Sequence, residues 1–384
     1  LKVLRERSGD ASPRVTHMEL FFDLVYVFAI TQLSDFLFAH RSARGALEGL
    51  ILFLAVWWAW NYTAWATNWI DPERPPVALL MVVLMAISLV MSAAIPEAFG
   101  ARGLAFAAAY VLLQLIRSSF VVAAFPKGER MRRNYAQLLA WSAIAGVPWI
   151  AGAFVHGDAR IALWVAALII DLAAPAVGFR LPGVDPTPIE DWTLAGAHLA
   201  ERCQLVLMIA LGESVLRVGL TFSEQRGTVA VDGAFVVGFI ASAALWGTYF
   251  LRHAESGAAA ISGDAAAAAR VGRAAYAYAH AVMVAGVIIV AVAVRLTIDD
   301  PGGEVTAASG LAMLGGPALY LAGLLMFKRW VHRGALGPPV GGIAVLALLT
   351  VAALAGVDRL VLCVLATLVL VALAVGAQQD TAAA

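Results

Sequence analysis

Apolar stretches long enough to cross a bilayer recur from one end of this 384-residue chain to the other. No other feature constrains its fold as strongly. A hydrocarbon core is spanned by about 20 apolar residues in helical form. By that measure the sequence predicts about twelve helices, over residues 16–39, 45–69, 77–95, 102–125, 134–156, 160–180, 194–219, 229–252, 271–297, 309–331, 339–356 and 358–377. Composition agrees. The chain is 62% hydrophobic and 14% charged, with a mean hydropathy of +0.84, where a soluble domain averages roughly 45–50% apolar and about 25% charged. The expected fold class is all-α, a polytopic integral membrane helical bundle. The last two segments meet in a very short turn around Gly356–Asp358 and also read as one broken hairpin, so the range is about ten to twelve spans. No signal peptide is expected, because the charged N-terminus leads into a long run with acids near its start and no small-residue cleavage site.

The longest break is the Pro-rich stretch LPGVDPTPIEDW (Leu181–Trp192). It separates a first membrane half (1–180) from a second (194–384), with 181–193 as linker. The halves look alike in places. HMELFFDLVYVFAITQ (17–32) can be laid on HLAERCQLVLMIALGE (198–213), and AYVLLQLIRSSF (109–120) on LYLAGLLMFKRW (319–330). Two six-helix pseudo-repeats of equal orientation imply a pseudo-twofold axis along the membrane normal. Lys and Arg choose that orientation. With the N-terminus inside, cytoplasmic segments hold about sixteen of them, including Lys2, Arg5, Arg7, Arg14, Lys127, Arg130, Arg132, Arg133, Lys328, Arg329 and Arg333, and the opposite loops about eight. The expectation is a bacterial inner (cytoplasmic) membrane protein with both termini cytoplasmic. Trp57, Trp58, Trp60, Trp65 and Trp69 crowd the second helix, some as interface anchors, with Trp60 and its neighbours too deep for that and packed in the bundle.

Lysine plus arginine equals aspartate plus glutamate, 26 each, so no basic or acidic partner is indicated, nucleic acid included. The bilayer itself is the expected partner. A cation or small solute and a homo-oligomer are compatible with the chain. Cys203 and Cys363 lie inside apolar runs and suit neither a disulfide nor a thiolate cluster. No Gly-rich phosphate loop occurs, and no cofactor is expected.

The informative residues are polar ones within the spans. At 100° per residue, Glu19, Asp23, Tyr26, Ile30 and Ser34 share one face of the first helix. Asp23 lies about two turns in, too deep for a short carboxylate to reach the interface, so these acids must face protein or water. In the seventh helix His198, Glu201, Arg202, Gly212 and Glu213 form a broad stripe, with Gly212 placed to let another backbone approach. Asp171 sits in the sixth helix before Pro175, which should kink it, and Arg117 sits deep in the fourth. Counted together, the deep acids (Glu19, Asp23, Asp171, Glu201, Glu213) outnumber the deep bases (Arg117, Arg202). Surplus buried carboxylates hold a proton or a cation. Glu19, Asp23, Asp171, His198, Glu201, Arg202 and Glu213 are therefore the candidate ion or proton pathway, with Arg117 and Arg202 as structural ion-pairing groups. The alternative is that the buried charges serve only to hold helices together.

A metal site is less well signalled. His17, Glu19, Asp23, His198 and Glu201 begin their helices on one side and suit Zn, Mn or Fe by ligand type, but no HExxH, Glu-x-x-His or DxD motif occurs. His280 in YAYAHAVMVAG reads as a packing residue hydrogen-bonded across helices, and Ser214 has no base placed to activate it.

Three stretches, VTHMELFFDLVYVFAITQLSD, HLAERCQLVLMIALGESVL and GGPALYLAGLLMFKR, together with the W-x-D-P-x-R segment Trp69–Arg74, closely resemble the bacterial low temperature requirement protein A family. The matches cover almost the whole chain. Departures are local: Cys203 and Gln204 stand where an aromatic is expected after Glu201–Arg202, and the eighth span ends LWGTYFLRH. The resemblance implies a link to growth in the cold and carries no agreed catalytic residues. The first helix is also similar to that of a potassium-channel family marked by an Arg…Phe-Ser-Asp signature, with His17, Phe21, Phe22 and Asp23, then Ala29, Ile30 and Thr31, as counterparts. Phe22 replaces the serine and the seventh helix lacks the triplet, so the likeness implies a shared fold and does not extend to a potassium pore. The leading expectation is a cation- or proton-coupled transporter or channel. The alternatives are a membrane-embedded enzyme or lipid-related factor using His17, Glu19, His198 and Glu201 at the cytoplasmic face, and a non-catalytic membrane scaffold.

Overall fold

The computed structural model describes residues 3–5, 14–185, 192, 195–225, 227–251, 271–331 and 337–382. Lys2, Arg7, Arg333 and most of the Pro-rich linker lie outside them. Among the described residues, 12 helices are long and apolar enough to cross a membrane. They are α1 (His17–Ala39), α2 (Ala43–Thr67), α3 (Pro75–Ala94), α4 (Gly103–Ala124), α5 (Arg130–Ala153), α6 (Asp158–Ala176), α7 (Gly196–Glu224), α8 (Val229–Phe250), α9 (His280–Asp299, entered through a π-helical segment Gly272–Ala279), α10 (Ala307–Val331), α11 (Gly337–Leu354) and α12 (Arg359–Ala382). Helices are what a chain in lipid must form, because each satisfies its own backbone groups where no water is available. This is an integral membrane protein of the helical class, and α11 and α12 are separate spans.

Local sequence explains the boundaries. Pro75 and Pro76 open α3, where a missing N–H costs nothing. The Thr228 side chain caps α8 by accepting from the Val231 N–H at 3.2 Å. Gly356, with φ +83°, turns the chain after α11. Pro175 does not kink α6 in mid-span. It stands one residue from the end of α6, and Gly178 at φ 62° follows the stop.

Contacts divide the chain into two compact units. The first gathers the chain up to Phe36 and from Ala43 to Arg202, and the second takes Leu37–Ser42 and the chain from Cys203 onward apart from a short piece before Arg273. In the first unit α4 packs against α3 and α5, α5 against α6, and α2 against α4 and α6. From Ile51 to Thr67 every residue of α2 except Leu54 is buried. Such a helix, apolar all round, is a core helix. Trp57, Trp58, Trp60 and Trp65 are accordingly core residues and not interface anchors. By contrast Phe21 and Leu24 of α1, Val147 of α5 and Ile169 of α6 are exposed, as lipid-facing residues should be.

In the second unit α9 and α10 pair most closely. Three glycines explain it. A Cβ on Gly286 would lie 2.5 Å from the Tyr320 backbone N, one on Gly323 2.7 Å from the Met283 N, and one on Gly316 2.9 Å from the Val290 N. The backbones of antiparallel helices touch at three successive turns because these side chains are missing, the usual device where helices gain no hydrophobic drive from lipid. His280 opens α9. Its Nδ1 donates to the Ala275 carbonyl at 2.8 Å, so its Nε2 accepts from the Tyr249 hydroxyl of α8 at 3.0 Å. The ring stacks on Tyr276 and meets Tyr249 and Phe327 edge-on. Gly212, in contrast, meets nothing: a Cβ there finds no atom within 4 Å, so no backbone approaches it.

Candidate functional site

The first turns of α1 make a capping box. Thr16 stands before the helix and Glu19 three residues on. The Glu19 N–H donates to Thr16 Oγ1 at 3.3 Å, and the Thr16 N–H and hydroxyl donate to Glu19 Oε2 at 2.9 and 3.0 Å. The T-x-x-E pattern was visible in the sequence. The same carboxylate does more than cap. Arg5 Nη2 donates to Oε2 at 2.9 Å, while Arg202 Nη1 at 3.1 Å and His198 Nε2 at 2.9 Å lie against Oε1. Glu19 is wholly buried, with both oxygens multiply bonded.

One turn deeper, Asp23 is also wholly buried. Arg202 Nη2 at 2.6 Å and the Trp60 indole N–H at 2.8 Å both donate to its Oδ1. Its Oδ2 has no partner among the described residues. Arg202 thus bridges the two acids of α1, donates to Thr67 Oγ1 at 3.1 Å, and lies 5.8 Å from the Trp60 ring centre.

The protonation of His198 follows from its other neighbours. The Ala195 N–H donates to Asn68 Oδ1 at 2.8 Å, which fixes the amide and turns Asn68 Nδ2 toward His198 Nδ1 at 3.2 Å. Nδ1 must then accept, so the proton sits on Nε2 and is given to Glu19. Arg5 Nη2, 3.3 Å from Nε2, is there a close neighbour and not a donor to it. With His198 neutral, two carboxylates (Glu19, Asp23) face two guanidiniums (Arg5, Arg202), and the cluster carries no net charge. Arg5 is the member that span counting could not find. It lies before α1, on a segment whose backbone pairs with the end of α2 through Arg5 N to Trp69 O at 2.9 Å and Asp71 N to Val3 O at 2.9 Å.

Asp171 lies elsewhere in the same unit. Its Oδ2 accepts from the Tyr110 hydroxyl at 2.7 Å and the Trp149 indole at 3.4 Å, and Gln114 Nε2 donates to the Tyr110 oxygen at 2.9 Å. Arg117, expected to pair with an acid, has no ion-pair partner among the described residues. Its contacts are Ala59 O at 3.5 Å and Ser118 Oγ at 3.4 Å, and its Nε has none. Glu201 is exposed and accepts from the Val15 N–H at 3.1 Å. Glu213 is buried in the second unit, 3.5 Å from Arg217 one turn on. His17 is exposed. Among the described residues no group of His, Cys, Asp and Glu side chains is arranged to hold a metal.

The expected surplus of deep acids therefore disappears in the first unit. Glu201 leaves the buried set, while Arg5 and Arg160 join it. Arg160 donates to the carbonyls of Ala98, Gly100, Gly152, Ala153 and Val155 at 2.9–3.3 Å, several of them at the end of α5, where the helix dipole favours a cation.

Twelve apolar spans with an electroneutral ionic cluster folded into the first unit define a multi-pass integral membrane protein. The comparisons give the family. The pattern of the bacterial low temperature requirement A protein (LtrA) family matches residues 14–375, and the chain belongs to that family. It is 35% identical over 331 residues, 86% of this chain and 80% of the relative, to a protein of Rhizobium meliloti (strain 1021) described as uncharacterized. No solved structure matches the chain.

Proposed function

We propose that the protein is a transporter or channel of the bacterial inner membrane, with both termini cytoplasmic, and that passage of its solute is coupled to a proton at Asp23. The observation that carries this reading is the Asp23 carboxylate. It is buried about 9 Å along α1, with one oxygen held by Arg202 and Trp60 and the other without a partner among the described residues. Ionisable groups at such depth are costly and mark ion and proton routes. Charge balance favours a proton over a resident cation, because Arg5 and Arg202 already offset Glu19 and Asp23. The same balance also favours a second reading, a network that only ties helices together. The enzyme reading has less support, since Glu19 and His198 are spent on each other and on Arg202.

Flux from liposomes containing the purified protein, screened across ions and pH, tests the proposal. Asp23→Asn should abolish flux and leave the melting temperature close to wild type. A sharp loss of stability instead, on the scale of the about 3–5 kcal/mol that follows from stranding a buried partner, would support the structural reading. A stable and fully active Asp23→Asn protein would refute both. Reporter fusions at each end check the orientation.

A further inference from the structure

The buried guanidiniums of the first unit are satisfied in different ways. Arg202 has two carboxylates, and Arg160 has a ring of backbone carbonyls. Arg117 has neither. It is wholly buried in α4, seven residues from Ala124, which places it about 10 Å from that end of the helix. Asp23, Trp60 and Arg202 stand at a similar distance from their own helix ends, so Arg117 belongs to the same depth. The carbonyl it grazes, Ala59 O, precedes Trp60, the donor to Asp23.

A guanidinium without a direct ion pair is costly at membrane depth. Among the described residues Arg117 nevertheless makes two hydrogen bonds, both at the outer limit of length, and its Nε–H, like that of Arg202, has no hydrogen-bond partner. On that edge of the planar fork two parallel N–H groups, Nε–H and one Nη–H, match the two oxygens of a carboxylate. Its Cζ lies 5.3 Å from the Tyr62 ring centre. A single cation beside an aromatic ring suits a monoanion with an apolar body. A phosphate dianion would need more positive charge than one arginine supplies.

We infer that Arg117 is the binding group for a short organic monocarboxylate, carried past the adjoining Asp23 centre. The inference rests on the transport reading for its role, though not for the site itself.

Thermal unfolding of the full-length protein in detergent, titrated with sodium acetate at constant ionic strength and pH, tests it, with sodium chloride and sodium phosphate as the other arms. Acetate should raise the melting temperature saturably and the other two salts should not. Arg117→Lys keeps the charge and loses the fork, so it should bind acetate about tenfold more weakly, the scale of one lost charge-assisted hydrogen bond. Arg117→Gln should lose the response; if it does not fold, Arg117→Lys carries the comparison. No response to acetate in the wild type, an equal response to chloride, or an unchanged response in Arg117→Lys would overturn the site. Acetate binding without acetate flux in liposomes would instead remove the transport reading and leave the site standing. Flux of another solute with no acetate response would do the reverse.

Discussion

The two units solve one problem by different chemistry. Helices in lipid gain little from hiding apolar side chains, since the lipid is as apolar as they are. The second unit brings α9 and α10 together through shape: Gly286, Gly316 and Gly323 let the backbones touch, and its buried His280 is neutral within a set of aromatic rings. The first unit ties α1, α2 and the first turns of α7 through charge, with Arg202 reaching Glu19, Asp23 and Thr67 at once. Shape can be satisfied completely and then does nothing further. A charged network can be satisfied unevenly, and among the described residues this one is: both oxygens of Glu19 are bonded, while Asp23 Oδ2, Arg202 Nε and Arg117 Nε have no hydrogen-bond partner. The second unit holds a buried charge of its own, Glu213 beside Arg217, so the contrast is between the α9–α10 pair and the Arg202 network.

Removing the centre of the charged network should have the largest effect. Arg202→Gln strands Asp23 and takes one of the two guanidiniums from Glu19, so a loss of about 3–5 kcal/mol and poor recovery of folded protein are expected, read by melting temperature and by the folded fraction after purification. A well-folded Arg202→Gln protein would mean that the first unit does not depend on the network. The second unit should break at its glycines. Gly286→Ala forces a methyl group against the Tyr320 backbone and should cost about 1–3 kcal/mol, the usual scale of overpacking. Gly212→Ala, with open space around it, is the matched control and should be close to neutral or slightly stabilising, since alanine favours helix. Equal losses at both glycines would refute the shape account.

Much of this was legible in the sequence because period and length are local properties. The twelve spans follow from apolar length, and the i,i+4 spacing of Glu19 and Asp23 correctly turns both inward. What failed was everything that depended on partners from distant parts of the chain. Arg5 lies outside any span, so a tally of intramembrane charge omitted it and found too many acids. Glu19 is buried because Arg5, His198 and Arg202 converge on it from residues 14 to 183 positions away. Arg160 was not singled out in the sequence, and only the end of α5 and the turn after α3 show why it can be buried. Trp60 was recognised as a packing residue, but its role as a donor to Asp23 has no sequence signature. Glu201, ranked with the pathway acids from its place in a stripe, falls at the exposed edge of that stripe, and helical spacing alone cannot distinguish the edge from the centre.

That last residue gives the smallest expected effect and a sharp check on the division between satisfied and unsatisfied charge. Glu201 is one residue before Arg202, yet it faces outward and accepts a single backbone N–H, from Val15. Glu201→Gln keeps an acceptor for that N–H and removes a charge that is exposed to begin with. A change within about 0.5 kcal/mol is expected, as for surface substitutions away from special features, with flux at the wild-type level. Glu19→Gln, by contrast, removes the charge that Arg5 and Arg202 both contact, and belongs with the large losses. Should Glu201→Gln abolish flux in a protein of unchanged melting temperature, the exposed acid would be part of the route, and burial would not be what separates functional from ordinary carboxylates here. Should it destabilise the protein as much as Glu19→Gln, the contact with Val15 would be holding the segment before α1 in place. Arg5, carried on that segment, would then owe its position in the cluster to Glu201.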